Sequence, residues 1–220
     1  MDVVLVAAKK EMIDDYTGVV AAANLNPLVV DVDAFCLQNA YEVSYGFHEN
    51  ESVLLLDIGH SVVTMNVLVD GMTMFTRDLA MGGADITEEI QRQLNITYTE
   101  AEMYKKGGGQ SGDEVLPHEV EKIIGQKADD MASEIQRSID FYSATASDSS
   151  IDRIIVSGGT ASIPSLVRTI SKTSGVPAEL ANPFRGLTVD ERTVTTENTR
   201  KWAPIAAVAV GLALRRTNER

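Results

Sequence analysis

The sequence lacks a cysteine pair, a long apolar run and an excess of positive charge. Cys36 stands alone and cannot form an internal disulfide, which suits a reducing compartment and is also common in exported proteins. The longest apolar stretch, residues 202–214, is shorter than the roughly 20 residues that span a bilayer. We therefore predict no transmembrane helix.

The charge balance limits the possible partners. The chain has 32 acidic and 19 basic residues, a formal net charge of −13. Nucleic acid is disfavoured as a partner because phosphate binding needs a basic face, and direct adhesion to anionic lipid is disfavoured for the same reason. A role at a membrane would need a protein partner.

The remaining composition is that of a folded protein. Hydrophobic residues make up 44% and charged residues 23%, and there is no low-complexity tract or internal repeat. At the N-terminus, the apolar residues 3–8 precede Lys9 and Lys10, which is the reverse of the order in a secretory signal. They predict a β-strand at the very start, so we expect the chain to begin inside a domain.

Apolar periodicity and turn residues predict an α/β protein. An initial strand–helix–strand–helix pattern covers residues 3–8, 9–23, 28–32 and 34–45. A three-stranded meander follows at 52–58, 61–69 and 72–78, with a turn at Asp70-Gly71. Predicted helices follow at 85–94, with Asp85 and Glu88 as a capping box, and at 98–106 and 118–146. The pattern ends with a strand at 151–156, a glycine turn, a helix at 163–173, an extended stretch at 176–180 and a helix at 202–216.

Asp57, Gly59 and Ser61 lie where a predicted strand meets a hairpin turn. Glycine lets the backbone approach a phosphate closely, and the Asp57 carboxylate could orient Mg²⁺ or its bound water. Taken alone, the pattern is more often an ordinary hairpin.

A second glycine turn, Gly158-Gly159-Thr160, lies between a predicted strand and a helix. Free N–H groups and the positive dipole end at a helix N-terminus can hold a nucleotide. The alternative, a tight connection selected for close packing, is about twice as common for such a turn alone.

Two further pieces lie between these turns. Gly82 and Gly83 precede a helix, and either they contact a ligand or they loosen a turn. Glu102 and Lys105 are three residues apart on the next helix, where a solvated pair is the commoner arrangement. The order of all four pieces carries more information than any one of them.

That order resembles the superfamily of actin, heat-shock chaperones and sugar kinases. The matching segments are DIGHS, GGADIT, AEMYK, VSGGTASIPSL and PIAAVAVGLALR, and the opening LVAAKKEMIDDYTGVVAAANLNPLVVDVDAFCLQNAYE is similar to the PilM family of type IV pilus assembly proteins, relatives of the division protein FtsA. The resemblance runs nearly end to end. It implies an actin-like (ribonuclease H-like) two-lobed nucleotide-binding fold with ATP and Mg²⁺ as cofactors.

The resemblance also implies roles for individual residues. Asp57, Gly59 and Ser61 would line the phosphates, with Asp57 also serving the metal. Glu102 and Lys105 would contact the nucleoside, and Gly158, Gly159 and Thr160 would lie on the base and ribose side. Gly82 and Gly83 would also belong to the cofactor site. His60 departs from the small residue usual in the family, and we give it no role.

The first phosphate hairpin of the superfamily has no counterpart in this sequence, because Asp31-Val32-Asp33 leads into Ala34 without a glycine turn. The resemblance therefore implies an N-terminally truncated member with an incomplete first lobe, which binds ATP weakly or not at all. We expect residues 1–48 to be a remnant of that lobe with an inserted subdomain. The other expected units are a second-lobe sheet domain (49–98 and 147–200), a small helical subdomain (99–146) and a terminal helix (201–220).

By resemblance, the function is that of an assembly adaptor rather than an enzyme, which grips the cytoplasmic N-terminus of PilN together with other pilus inner-membrane proteins. Its expected location is cytoplasmic and peripheral to the inner membrane through that partner. Two alternatives stay open: a sugar- or acetate-kinase-like phosphotransferase, and an FtsA-like cell-division protein.

Overall fold

The computed structural model describes residues 5–108, 118–146, 150–190, 192 and 194–216. The strands are β1 (Ser52–Ile58), β2 (Val63–Val69), β3 (Met72–Leu79), β4 (Arg153–Ser157) and β5 (Ala178–Leu180). The helices are α1 (Lys10–Ala22), α2 (Asp33–Tyr45), α3 (Gly83–Leu94), α4 (Tyr98–Lys105), α5 (His118–Thr145), α6 (Pro164–Ser174), α7 (Thr196–Trp202) and α8 (Ala207–Ala213). Two short 3₁₀ helices cover Gly159–Ser162 and Ala203–Ile205.

The five strands form one mixed sheet in the order β3-β2-β1-β4-β5. β1, β2 and β3 pair antiparallel as the predicted meander, and β4 and β5 join β1 in parallel. The β2–β3 turn contains Asp70 and Gly71, whose φ angles of 50° and 78° are those that asparagine, aspartate and glycine accept most readily. The predicted α/β class and the meander are confirmed.

Both faces of the sheet are covered by helices. Leu54, Leu56 and Ile58 of β1 point to the side of α3, α5 and α6, where they join the larger apolar core. Val53 and Leu55 point to the other side and pack against α2 and α8. Because both faces are buried, β1 reads as a continuous apolar run, and each of its large side chains contributes about 1.5–3 kcal/mol by burial.

The two strands predicted near the N-terminus are not strands in the structure. Residues 5–9 and 28–32 have no regular secondary structure, and residues 3 and 4 lie outside the described part. An apolar run becomes a strand only where another strand satisfies its backbone N–H and C=O groups, and neither segment pairs with a described strand. Helix α1 between them is present, but none of its residues is buried.

Three local predictions are also wrong. Helix α3 begins at Gly83 rather than Asp85, and the Asp85 carboxylate accepts the Gly82 N–H at 2.7 Å from inside the first turn. The 3₁₀ helix from Gly159 separates the glycine turn from α6. The terminal helix is interrupted at Pro204, which cannot continue an α-helical hydrogen-bond ladder, so α7, a 3₁₀ helix and α8 take its place.

None of the helices in the described part of the chain is both long and apolar enough to cross a membrane.

Candidate functional site

A pocket of about 740 Å³ collects residues from most of the predicted motifs. It opens between the loop after β1, the end of α4, the start of α5 and the 3₁₀ turn before α6. Its lining is His60, Glu102, Lys105, Lys106, Gly107, Glu121, Ile124, Gly125, Gly159, Thr160, Ser162, Ile163, Pro164 and Ser165. Segments up to about 100 residues apart in sequence therefore meet at one site.

The loop between β1 and β2, residues 59–62, is closed by a hydrogen bond from the Gly59 N–H to the Val62 carbonyl at 2.9 Å. Helix α3 docks on this loop, because the Gly83 N–H donates to the Gly59 carbonyl at 3.0 Å and the Ala84 N–H to the His60 carbonyl at 2.7 Å. A Cβ at buried Gly82 would lie 2.5 Å from the His60 carbonyl oxygen. This geometry makes Gly82 and Gly83 packing residues at the α3–loop junction.

The second glycine turn is joined to the same loop. Gly158 has a φ of 93°, and a Cβ there would lie 2.3 Å from the Ile58 carbonyl oxygen, so both conformation and space favour glycine. Thr160 donates from Oγ1 to the Gly59 carbonyl at 2.8 Å. The two predicted motifs are thus adjacent, and the exposed Gly159 opens onto the pocket.

A polar network connects α3 and α4 at the wall of the pocket. The Lys105 ammonium donates to the Gly83 carbonyl at 2.9 Å, to Thr87 Oγ1 at 2.8 Å and to Glu102 Oε2 at 2.6 Å. An ammonium has three N–H donors, so these three acceptors use all of them. Lys105 therefore has no donor left for a ligand in this conformation.

Glu102 is the member of this network that remains accessible. Its Oε2 also accepts from Thr87 Oγ1 at 2.6 Å, while its Oε1 lies 3.1 Å from the exposed Lys106 ammonium. Burial alone would raise the pKa of Glu102, but hydrogen bonds from Lys105, Thr87 and Lys106 outweigh it and lower the pKa to about 2. The side chain is consequently a fixed, ionised acceptor that can take hydroxyl donors.

Asp57 lies apart from the 740 Å³ pocket, at the end of β1 on the sheet face that carries α2. It accepts a hydrogen bond from Ser157 Oγ at 2.8 Å. Burial raises the pKa of Asp57, the Ser157 hydrogen bond opposes this rise, and the charge of Asp33 adds to it. Gly59 lies in sequence between Asp57 and His60, which lines the pocket, and Ser61 is exposed on the loop.

Three residues at or beside this site were not predicted from the sequence. Asp33, the first residue of α2, is not followed by a glycine turn, yet its charge acts on Asp57. Thr87, one helical turn after Gly83, contributes its hydroxyl to the hydrogen-bond network of Lys105 and Glu102. Buried Asn66 donates from Nδ2 to the Ala34 carbonyl at 2.7 Å and so holds the first turn of α2 against β2. A polar residue within an apolar strand is the signal that could have identified Asn66.

These residues fit a magnesium nucleotide in a limited sense. Among the described residues, no three or more His, Cys, Asp and Glu side chains form a group that could hold a metal on their own. Mg²⁺ bound with phosphates needs only one or two carboxylates and keeps its remaining waters. Asp57 and Asp33, whose charges act on each other, are the carboxylates that would serve it. Glu102 would accept hydroxyl groups on the nucleoside side.

The chain matches the family model of type IV pilus assembly protein PilM over residues 1–217. Its structure is similar to a chain of the PilM–PilN type IV pilus biogenesis complex, with a TM-score of 0.82 and 26% identity. That match covers 97% of this chain, which spans 60% of the length of the matched one.

Two more distant solved structures share the fold. The ethanolamine utilization protein EutJ of Carboxydothermus hydrogenoformans has a TM-score of 0.67 and 19% identity, over 94% of this chain and 62% of EutJ. MreB5 of Spiroplasma citri, solved with ADP, has a TM-score of 0.60 and 12% identity, over 94% of this chain and 65% of MreB5. The predicted actin-like architecture is therefore confirmed.

Proposed function

The chain belongs to the family of type IV pilus assembly protein PilM, and from this membership we propose that it is a scaffold that docks on the cytoplasmic N-terminal peptide of a PilN protein. The observation that carries the proposal is the match to the PilM–PilN complex over 97% of the chain. In this proposal the protein stays peripheral to the inner membrane and reaches it through PilN.

The surface proposed for this docking is the N-terminal part of the chain, residues 5–32. Helix α1 exposes Met12, Tyr16 and Val19, which recur at the spacing of one helix face. The flanking segments expose further large apolar side chains, namely Leu5, Val6, Leu25, Leu28 and Val30. Contiguous exposed apolar surface of this kind marks a contact with another polypeptide.

We further propose that nucleotide adjusts the conformation of this scaffold instead of being turned over. The support is the pocket wall at Glu102, which offers an acceptor to a nucleoside, together with the carboxylates of Asp57 and Asp33 on the other side of Gly59. Because Lys105 is saturated by protein acceptors, we expect weak binding of ATP by this chain.

Calorimetry with a synthetic peptide of the PilN N-terminus, with and without magnesium ATP, tests the proposal. We expect binding in both conditions and a loss of about tenfold in affinity for Tyr16→Asp, because a carboxylate would be desolvated at an apolar contact. Val43→Asp, on the exposed side of α2, is the matched control and should bind as the unmodified chain does. Unchanged affinity of Tyr16→Asp would move the docking surface elsewhere, and no binding by a folded chain would contradict the proposed function.

A further inference from the structure

His60 lines the 740 Å³ pocket from the loop between β1 and β2. It is exposed, and within the described part of the chain its imidazole has no hydrogen-bond or ion-pair partner. One ring nitrogen of a neutral imidazole donates a hydrogen bond, and both nitrogens donate when the ring is protonated. The pocket wall therefore contains a donor that the protein itself does not use.

The backbone of His60 is fixed by helix α3. The Ala84 N–H donates to the His60 carbonyl at 2.7 Å. Asp85, the acidic residue in the same helical turn, accepts the Gly82 N–H at 2.7 Å and so caps its own helix. Only rotation of the side chain is left to move the imidazole, and a binding group held in this way is well positioned for a ligand.

The two lysines of the pocket are engaged by protein acceptors. The Lys105 ammonium uses its three donors on groups of α3 and α4. The Lys106 ammonium lies 3.1 Å from Glu102 Oε1, and the rest of its side chain is exposed. Among the described residues that line the pocket, His60 is thus the basic side chain without a protein partner.

The carboxylates of the pocket decide where an anionic group of a ligand lies. Glu102 and Glu121 line the pocket from α4 and α5, and the hydrogen bonds to Glu102 keep that side chain ionised. Like charges repel, so a phosphate is disfavoured beside these two residues, whereas hydroxyl groups find acceptors there. A ligand that carries both hydroxyl and phosphate groups is consequently oriented with its phosphates toward His60.

We propose that the His60 imidazole binds a phosphate group of the nucleotide, which makes nucleotide binding depend on pH. The proposal deepens the nucleotide part of the proposed function and rests on it. Histidine ordinarily gains its charge between pH 8 and pH 5, so the affinity should rise as the pH falls through this range. Asp57, whose pKa is raised by burial, works in the opposite direction, because its protonation removes a carboxylate from Mg²⁺.

Nuclear magnetic resonance of the full chain, labelled with carbon-13 at its histidines, tests this contact at pH 6 and pH 8 in the presence of Mg²⁺. The chain has three histidines, and exposed His48, which lies outside the pocket lining, serves as the reference. We expect ATP to shift the His60 signal and adenosine, which has no phosphate, to leave it in place. The affinity for ATP should be at least threefold higher at pH 6 than at pH 8, because the hydrogen bond is then charge-assisted, although solvent screens it in part.

Three variants separate the charge of His60 from its shape. His60→Gln keeps a hydrogen-bond donor without the charge, and it should remove the gain in affinity at pH 6. His60→Lys carries its charge at both pH values, and at pH 8 it should bind ATP as tightly as the unmodified chain does at pH 6. His48→Gln is the matched control and should bind as the unmodified chain does.

The contrary results distinguish this contact from the proposed function. If His60→Gln bound ATP as the unmodified chain does at both pH values, the role of His60 would be overturned, and the phosphates would be assigned to the N–H groups at the start of α6. An equal shift of the His60 signal by adenosine would overturn it as well. No ATP binding by the unmodified chain would overturn the nucleotide part of the proposed function together with this contact, whereas retained binding of the PilN peptide in the same samples would leave the docking proposal standing.

Discussion

Gly211 of α8 lies directly on the backbone of Cys36 in α2, so closely that a Cβ at residue 211 would be 1.7 Å from the Cys36 carbonyl oxygen. The contact is supported on either side by Asn39, whose Nδ2 donates to the Gly211 carbonyl at 3.4 Å, and by an ion pair between Arg215 and Asp31 at 2.5 Å. The approach of the two helices is therefore set by backbone contact.

Gly211→Ala should lower the free energy of unfolding by about 1–3 kcal/mol, because the methyl group has to push α8 away from α2. Urea denaturation measures the change, and Gly18→Ala in α1, where a Cβ meets nothing within 4 Å, is the matched control. The Cys36 thiol gives a second readout. Burial raises its pKa to about 12, with the charges of Asp31 and Asp33 adding to the rise, so it should resist disulfide reagents at pH 8.

The Gly211→Ala variant should react faster at Cys36 than the unmodified chain, because the α2–α8 contact that covers the thiol is loosened. A stability equal to that of Gly18→Ala together with an unchanged thiol reaction rate would show that the helices accept the methyl group without separating.

Lys105→Met should destabilise the protein by about 2 kcal/mol, because it removes charge-assisted hydrogen bonds and leaves Glu102 without its buried partner. Lys106→Met removes the exposed partner of the same carboxylate and should change stability by under about 0.5 kcal/mol. Chemical denaturation of the two variants compares them directly. Equal losses of stability in the two variants would show that the burial of Lys105 does not strengthen its hydrogen bonds.

The low pKa of Glu102 predicts how stability depends on pH. Its folded pKa of about 2 lies below the ordinary 4.5, so its contribution is fully present above pH 4.5 and is lost as the pH falls toward 2. Unfolding free energies of the unmodified chain and of Glu102→Gln should therefore differ by a constant amount above pH 4.5 and converge below it. If the two unfolding free energies still differed at the lowest pH, the stabilisation by Glu102 would come from side-chain packing rather than from its charge.

Asp57 should behave in the opposite sense. Its folded pKa is raised by burial, so the folded state binds a proton more readily than the unfolded state and the ionised carboxylate costs stability at neutral pH. Asp57→Asn, which still accepts from Ser157, should stabilise the protein at pH 7, and the gain should shrink in acid. Calorimetric melts at two pH values check this, and a loss of stability at pH 7 would show that the charge is compensated in the folded protein.

Much of the sheet could be predicted because its signals are local. The apolar run of β1, the Asp70-Gly71 turn and the glycines around Gly158 each determine a conformation within a few residues, and the order of the motifs indicated the actin-like fold. The strand predicted at residues 28–32 is absent from the structure because its signal is not local. Its formation depends on a partner strand, which a window of sequence does not contain.

The candidate site could be predicted as a set of residues but not as a set of roles. Lys105 and Glu102 are three residues apart on one helix, and that spacing does not reveal that α3 supplies Gly83 and Thr87 as acceptors. Asp33 carries no motif, and it gains its influence only when α2 is packed against the sheet. Roles that arise from contacts between distant elements are invisible until the elements are assembled.

The parallel pairing of β1 with β4 has a consequence for how the chain folds. Asp57 lies beside Ser157, 100 residues further along, so the centre of the sheet closes only after everything between them has been synthesised. The β1–β3 meander can form early from local contacts, but one side of β1 then stays uncovered while α3, α4 and α5 are made. During that interval the most apolar strand of the protein presents an open edge, and binding by a chaperone or self-association would be most probable there.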